Sequence, residues 1–98
     1  MWIRAVAVDE LSRPFKLVHR RKEIAVFRLE DGVYAIDNSC SHEYSPLCDG
    51  LVVGGDVCCP KHGSRFDIRT GAVKDFPATR PVATYEVKVE DGVVWVKL

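Results

Sequence analysis

Apolar and polar positions alternate along most of this chain, and helical spacing of apolar residues is scarce, which predicts a protein built from strands. Trp2 to Val8 is rich in β-branched residues and reads as a first strand. Asp9 is placed to cap a single helical turn through Leu11, and Pro14 stops anything longer. Phe15 to His19 reads as a short strand. Glu23 to Leu29 and Val33 to Ile36 flank Glu30-Asp31-Gly32, a hairpin signal in which the glycine can take a positive φ. The same signal recurs near the C-terminus, where Tyr85 to Val89 leads through Glu90-Asp91-Gly92 into Val93 to Val96.

The middle of the chain breaks this rhythm. Between Asn38 and Arg80 lie most of the glycines and prolines and all four cysteines, with only short apolar pieces such as Leu51-Val52-Val53. Turn-rich sequence of this kind cannot supply a large core of its own, so something else must fix its shape. The expected architecture is all-β, a small sandwich or barrel, with a loop-rich subregion at about 38–80 inside one domain spanning 1–98.

Composition narrows the class. With 47% hydrophobic and 29% charged residues over 98 positions, the chain can form a core and is not disordered. A domain of this size buries only about two-thirds of its unfolded surface, so a metal centre would add materially to stability. Fourteen basic residues balance fourteen acidic ones, which gives no electrostatic reason to expect nucleic acid or an anionic membrane as partner. Met1-Trp2-Ile3-Arg4 does not resemble the start of an export signal, and no apolar run approaches the ~20 residues that span a bilayer. The expected location is the cytoplasm, where clustered cysteines are more often metal ligands or redox groups than disulfides.

The candidate chemistry sits in Cys40-Ser41-His42 and Cys59-Pro60-Lys61-His62, two Cys–His pairs with sixteen residues between them. Taken alone, they fit a metal site, or else buried structural cysteines beside surface histidines. Two cysteines and two histidines also suit tetrahedral zinc, although zinc motifs usually group like with like. The pattern resembles the ligand signature of Rieske iron–sulfur proteins, and the likeness extends around it. His62-Gly63-Ser64-Arg65-Phe66-Asp67 is similar to the family's second cluster loop, and Arg69-Thr70-Gly71 to the turn that follows. Leu47 stands where the family usually carries a leucine over the cluster. Pro77-Ala78-Thr79-Arg80-Pro81 resembles the third loop that closes the site. Val33 to Asn38 and the terminal hairpin match as well.

The resemblance implies one 2Fe–2S cluster, with Cys40 and Cys59 on the inner iron and His42 and His62 on the outer one. Neutral imidazoles in place of two thiolates remove negative charge from the ligand shell, which lifts the potential into a range of roughly −150 to +300 mV. Hydrogen bonds to cluster sulfurs raise it further. In high-potential relatives a serine and a tyrosine supply them; Ser64 matches the serine, but Phe66 has no hydroxyl. The disulfide that staples the two loops in those relatives would fall at Ser45 and Lys61, so it cannot form here. A low-to-intermediate potential is expected.

The implied function is that of a ferredoxin and not an enzyme. It would carry single electrons from a flavin-dependent NAD(P)H reductase to a terminal oxygenase, as a monomer. Competing readings are the small subunit of an assimilatory nitrite reductase, which often lacks cluster ligands, and a structural zinc domain. Cys48 and Cys58 read as small, partly buried hydrophobes, with a Cys48–Cys58 disulfide as the alternative. His19 belongs to no motif and reads as a strand or surface residue. Tyr44, Pro46, Leu47, Phe76 and Pro77 either shield the cluster from water or face a partner.

Overall fold

The structure is a computed structural model that describes residues 1–40, 45–61, 63–75, 78 and 80–98. Its strands are β1 (Trp2–Ala7), β2 (Phe15–His19), β3 (Lys22–Leu29), β4 (Gly32–Asp37), β5 (Leu51–Val53), β6 (Asp56–Cys58), β7 (Arg65–Asp67), β8 (Thr84–Tyr85), β9 (Val87–Glu90) and β10 (Val93–Lys97). Three antiparallel sheets result, in the orders β1-β10-β9, β2-β3-β4-β8 and β5-β6-β7. The all-β reading holds.

The central sheet is covered on both faces, and the sequence of β3 shows why. Ile24, Ala25, Val26 and Phe27 are consecutive and all buried. Successive side chains on a strand point to opposite faces, so an unbroken apolar run must serve two cores. Ile24 and Val26 pack with Val6, Leu17, Ala35, Val94 and Val96 between the central sheet and the β1-β10-β9 sheet. Ala25 and Phe27, with Ile36, pack the other way against Cys40, Leu47, Val57, Cys59, Phe66 and Ile68. The middle segment therefore does build a core, by borrowing the second face of the central sheet. The second face of the central sheet is thus what fixes the shape of a segment that has no large core of its own.

Both hairpins stand where alternation placed them. In the second, Glu90 pairs with Val93 across Asp91 and Gly92, whose φ values are +53° and +74°. Positive φ at both turn centres matches the right-handed strand twist, and glycine and aspartate tolerate it best. Two local expectations need correction. Val8–Glu10 forms a short 3-10 turn with Ala7 at its cap position, so Asp9 lies within the turn and caps nothing. The expected strand Tyr85 to Val89 divides at Glu86: β8 pairs with β4, whereas β9 pairs with β10. The chain switches sheets there, a corner that period-two alternation does not reveal. The apolar piece Leu51-Val52-Val53 becomes a strand of the third sheet, with Val52, Val57 and Phe66 in register.

Candidate metal centre

The first loop leaves β4 at Asp37 and is anchored at once. Asn38 donates its N–H to the Glu23 carbonyl at 3.0 Å, and its own carbonyl accepts from Leu47 at 2.5 Å. Its buried side chain accepts from the Cys48 N–H at 2.8 Å and donates to the Glu23 carboxylate at 3.3 Å. Asn38 thus binds both ends of the loop to the sheet. Ser39 and Pro46 form an isolated bridge, and Cys40 donates its N–H to the Ser45 carbonyl at 2.9 Å.

The second loop repeats the device. After β6, Cys59 donates its N–H to the Ser64 carbonyl at 2.7 Å, again five residues ahead, and its own carbonyl accepts from Gly63 at 2.9 Å. Each loop is therefore closed at its stem by a cysteine N–H and a serine carbonyl. Cys40 and Cys59 are 0% and 2% exposed and belong to one buried cluster. His42 and His62 lie outside the described residues, as do Tyr44, Phe76, Pro77 and Thr79.

A third segment closes on the second loop through Ser64. The Ser64 Oγ, fully buried, accepts the Ala78 N–H at 3.1 Å. Farther along, Val82 donates its N–H to the Gly71 carbonyl at 3.0 Å. Gly71 has φ +77°, and a Cβ there would stand 2.2 Å from the Val82 carbonyl oxygen, so only glycine fits. The Asp67 carboxylate shapes the preceding turn by accepting from the N–H groups of Arg69 and Thr70.

Charged side chains brace the outside of these loops. Arg65 forms a paired contact with Asp75, and Lys74 reaches Asp56 at 2.6 Å. The Arg65 guanidinium holds the Asp75 carboxyl below its ordinary range. At the base of the subregion, Arg69 grips Asp31 through bonds of 3.0 and 2.9 Å and lies over the Tyr34 ring at 5.5 Å. That bond lowers the Asp31 pKa in turn. On the other flank the Tyr85 hydroxyl donates to Asp37 at 2.6 Å, and burial followed by that bond pushes the phenol upward.

The other expected residues can now be placed. Leu47 is fully buried in the core beneath the loops, which removes it from any partner surface; neighbouring Pro46 is exposed. Cys48 and Cys58 carry free thiols and are half-buried, as small hydrophobes, and no disulfide joins them. Burial and the adjacent Asp49 push the Cys48 thiol up. Ser45 is buried and Lys61 exposed, and neither can provide a sulfur to join the loops. His19 ends β2, paired with Lys22. The anchoring role of Asn38 is not legible in the sequence, because its partners Glu23 and Cys48 lie fifteen and ten residues away.

These features suit an iron–sulfur cluster. Two buried thiols from matching loops lie in one apolar cluster, and the loops satisfy their stem N–H groups internally. Among the described residues no three histidine, cysteine or acidic side chains gather as a metal site.

Comparison with known proteins agrees. Residues 1–86 match the family described as Rieske [2Fe-2S] domain. The anthranilate 1,2-dioxygenase ferredoxin subunit of Burkholderia cepacia is 41% identical, over 99% of this chain and 92% of that protein. The Sphingomonas yanoikuyae B1 ferredoxin structure superposes with a TM-score of 0.93 at 35% identity, covering 100% of this chain and 99% of that one. A chain in the complex of reduced oxygenase and oxidized ferredoxin in carbazole 1,9a-dioxygenase gives 0.92 at 30% identity, covering 97% and 91%. Matching loops, fold and relatives lead to one assignment: the chain belongs to the Rieske [2Fe-2S] domain family, as an electron-carrying ferredoxin.

Proposed function

We propose that this chain holds one 2Fe–2S cluster, on Cys40 and Cys59 at the inner iron and His42 and His62 at the outer one. It receives electrons from a flavin-dependent NAD(P)H reductase and delivers them to a terminal oxygenase. Bound there, the cluster supplies a one-electron redox couple in a low-dielectric setting. The rest is done by the chain. Cys40 and Cys59 are presented from stems fixed by their own N–H bonds to Ser45 and Ser64. Leu47, Phe66 and Ile68 keep water from the inner side. Ser64, whose oxygen already accepts from Ala78, retains its proton for an acceptor in the site.

The observation that carries this reading is the pair of matching loops that bury one cysteine each in a shared core. The oxygenase as recipient is supported by relatives named as ferredoxin components of dioxygenase systems. We further assign the chain to a single domain with its cluster-binding subregion at about 38–80, acting as a monomer in the cytoplasm. Among the described residues no helix is long and apolar enough to cross a membrane.

Purified protein should be coloured and contain two irons and two acid-labile sulfides per chain. Its electron paramagnetic resonance signal on reduction should be lost in Cys59→Ser and altered in His42→Cys. A colourless protein carrying zinc would overturn the assignment. An unchanged signal in either variant would remove that residue from the ligand set.

A further inference from the structure

We propose that the β2–β3 turn is a cationic docking face for an acidic surface on the protein that exchanges electrons with this chain. The proposal rests on the electron-carrier reading above and adds the side on which the partner docks.

The turn is His19-Arg20-Arg21-Lys22, four consecutive basic or titratable residues closed by pairing of His19 with Lys22. Arg20, Arg21 and Lys22 are exposed. Lys22 leans on Tyr85, 3.4 Å from its hydroxyl and 5.1 Å from the ring centre. Arg20 and Arg21 form no ion pair or side-chain hydrogen bond among the described residues. By contrast Arg65, Arg69, Lys74, Lys88 and Lys97 each reach a carboxylate. Arg20 also has φ +56°, a turn position where glycine or asparagine is the relaxed choice. A strained, unpartnered arginine beside a second one is not what stability alone would select.

The topology puts this turn at the end of the central sheet from which the first loop departs. Lys22 is followed by Glu23, whose carbonyl holds the Asn38 N–H, and Asn38 lies two residues before Cys40. Among the described residues the carboxylates at this end are largely engaged: Glu23 by Asn38, Asp37 by Tyr85 and Glu86 by Lys97, with Asp49 on the surface. The opposite end of the central sheet carries the Glu30-Asp31 turn, and the β1-β10-β9 sheet carries the Glu90-Asp91 turn. Val8, bonded to the Gly92 carbonyl at 2.8 Å, brings Asp9 and Glu10 beside the latter. Of those six carboxylates Asp31 is paired with Arg69 and Glu90 with Lys88, and Arg28 bonds the Val8 carbonyl nearby. A chain of zero net charge thus carries the exposed cations Arg20 and Arg21 at the end of the central sheet from which the Cys40 loop departs. Their field orients encounter with a complementary surface and speeds association at low salt. Zero net charge and a patch this small suit an acidic protein face better than a nucleic acid or an anionic membrane, which reward many cations at once.

The test uses the cluster-loaded full chain and two small oxidants of opposite charge, cobalt(III)–EDTA and hexaamminecobalt(III), each taking one electron from the reduced protein. As ionic strength rises from about 0.01 to 0.15 M, oxidation by the anion should slow several-fold and oxidation by the cation should quicken. Arg20→Gly/Arg21→Gln, in which glycine suits the positive φ, should flatten both trends with an unchanged visible spectrum. The distal control Glu90→Gln/Asp91→Asn should leave them in place. Poly-L-glutamate should slow the cobalt–EDTA reaction of the native protein and not of the turn variant. Equal salt dependence in native protein and turn variant would overturn the docking face. So would binding of duplex DNA or phosphatidylglycerol vesicles more tightly than poly-L-glutamate through the same arginines. A protein that carries no cluster would instead refute the electron-carrier reading, so the two failures are distinct.

Discussion

Ser64 ties two loops together with one oxygen. Its Oγ is buried and accepts the Ala78 N–H, so Ser64→Ala leaves that N–H without its partner inside the protein. A lost partner of this kind costs about 1–3 kcal/mol, measurable as a lower urea midpoint at constant slope. Gly71 admits no side chain for two reasons, its positive φ and the nearby Val82 carbonyl. Gly71→Ala should destabilise the holoprotein by at least about 2 kcal/mol in the same measurement. Phe66 is fully buried and bears no hydroxyl to donate to a cluster sulfur. Protein-film voltammetry near neutral pH should accordingly find a potential in the lower or middle part of the family's range, and Phe66→Tyr should raise it. A native potential near roughly +300 mV would contradict this account.

At the scale of elements, the two-residue strand β8 depends on side chains for its place beside β4. The Tyr85 hydroxyl donates to Asp37, while Asp37 also exchanges bonds with the Ala83 backbone. Burial and the carboxylate raise the Tyr85 pKa above its ordinary 10.0, so the folded state holds this proton more tightly than the unfolded chain does. The stability this contributes is complete below pH about 10 and is lost as pH rises toward the folded value. Unfolding followed by denaturant across pH 9 to 12 should show stability falling above about 10. Tyr85→Phe should be less stable at neutral pH and should lose the part of that slope due to this group.

For the molecule as a whole, the cluster-binding subregion is attached to the rest by the shared core and, at its base, by the Arg69–Asp31 pair over Tyr34. The pair is solvent-exposed, so its worth to global stability is small and screened by salt. Its effect should be local. Arg69→Ala should speed backbone hydrogen exchange in β5, β6 and β7 relative to β3 and β4, with little change in melting temperature. Asp31 is held below its ordinary 3.8 by Arg69, so the latch is intact above that pH and opens as pH falls through the lowered value. Acidification below about 3.8 should therefore reproduce the exchange pattern of the variant in native protein. An exchange increase spread evenly over all three sheets would show that the base pair is no latch.

Much of this was legible in the sequence because it is governed by local rules. Apolar patterning and β-branched content located β1 to β4 and the C-terminal hairpin, and Asp-Gly marked the turns. The spacing of Cys40, His42, Cys59 and His62 carried the candidate ligand set, since metal chemistry restricts which residues can serve. The tertiary structure alone decided that Ile24 to Phe27 serve two cores, and that the chain changes sheets at Glu86. It also decided that Asn38 and Ser64 tie the loops and that the Arg20-Arg21 turn lies at the Cys40 end. Each of those depends on which distant segment lies opposite, and local pattern holds no record of that. Alternation says that a face is buried; only the fold says against what.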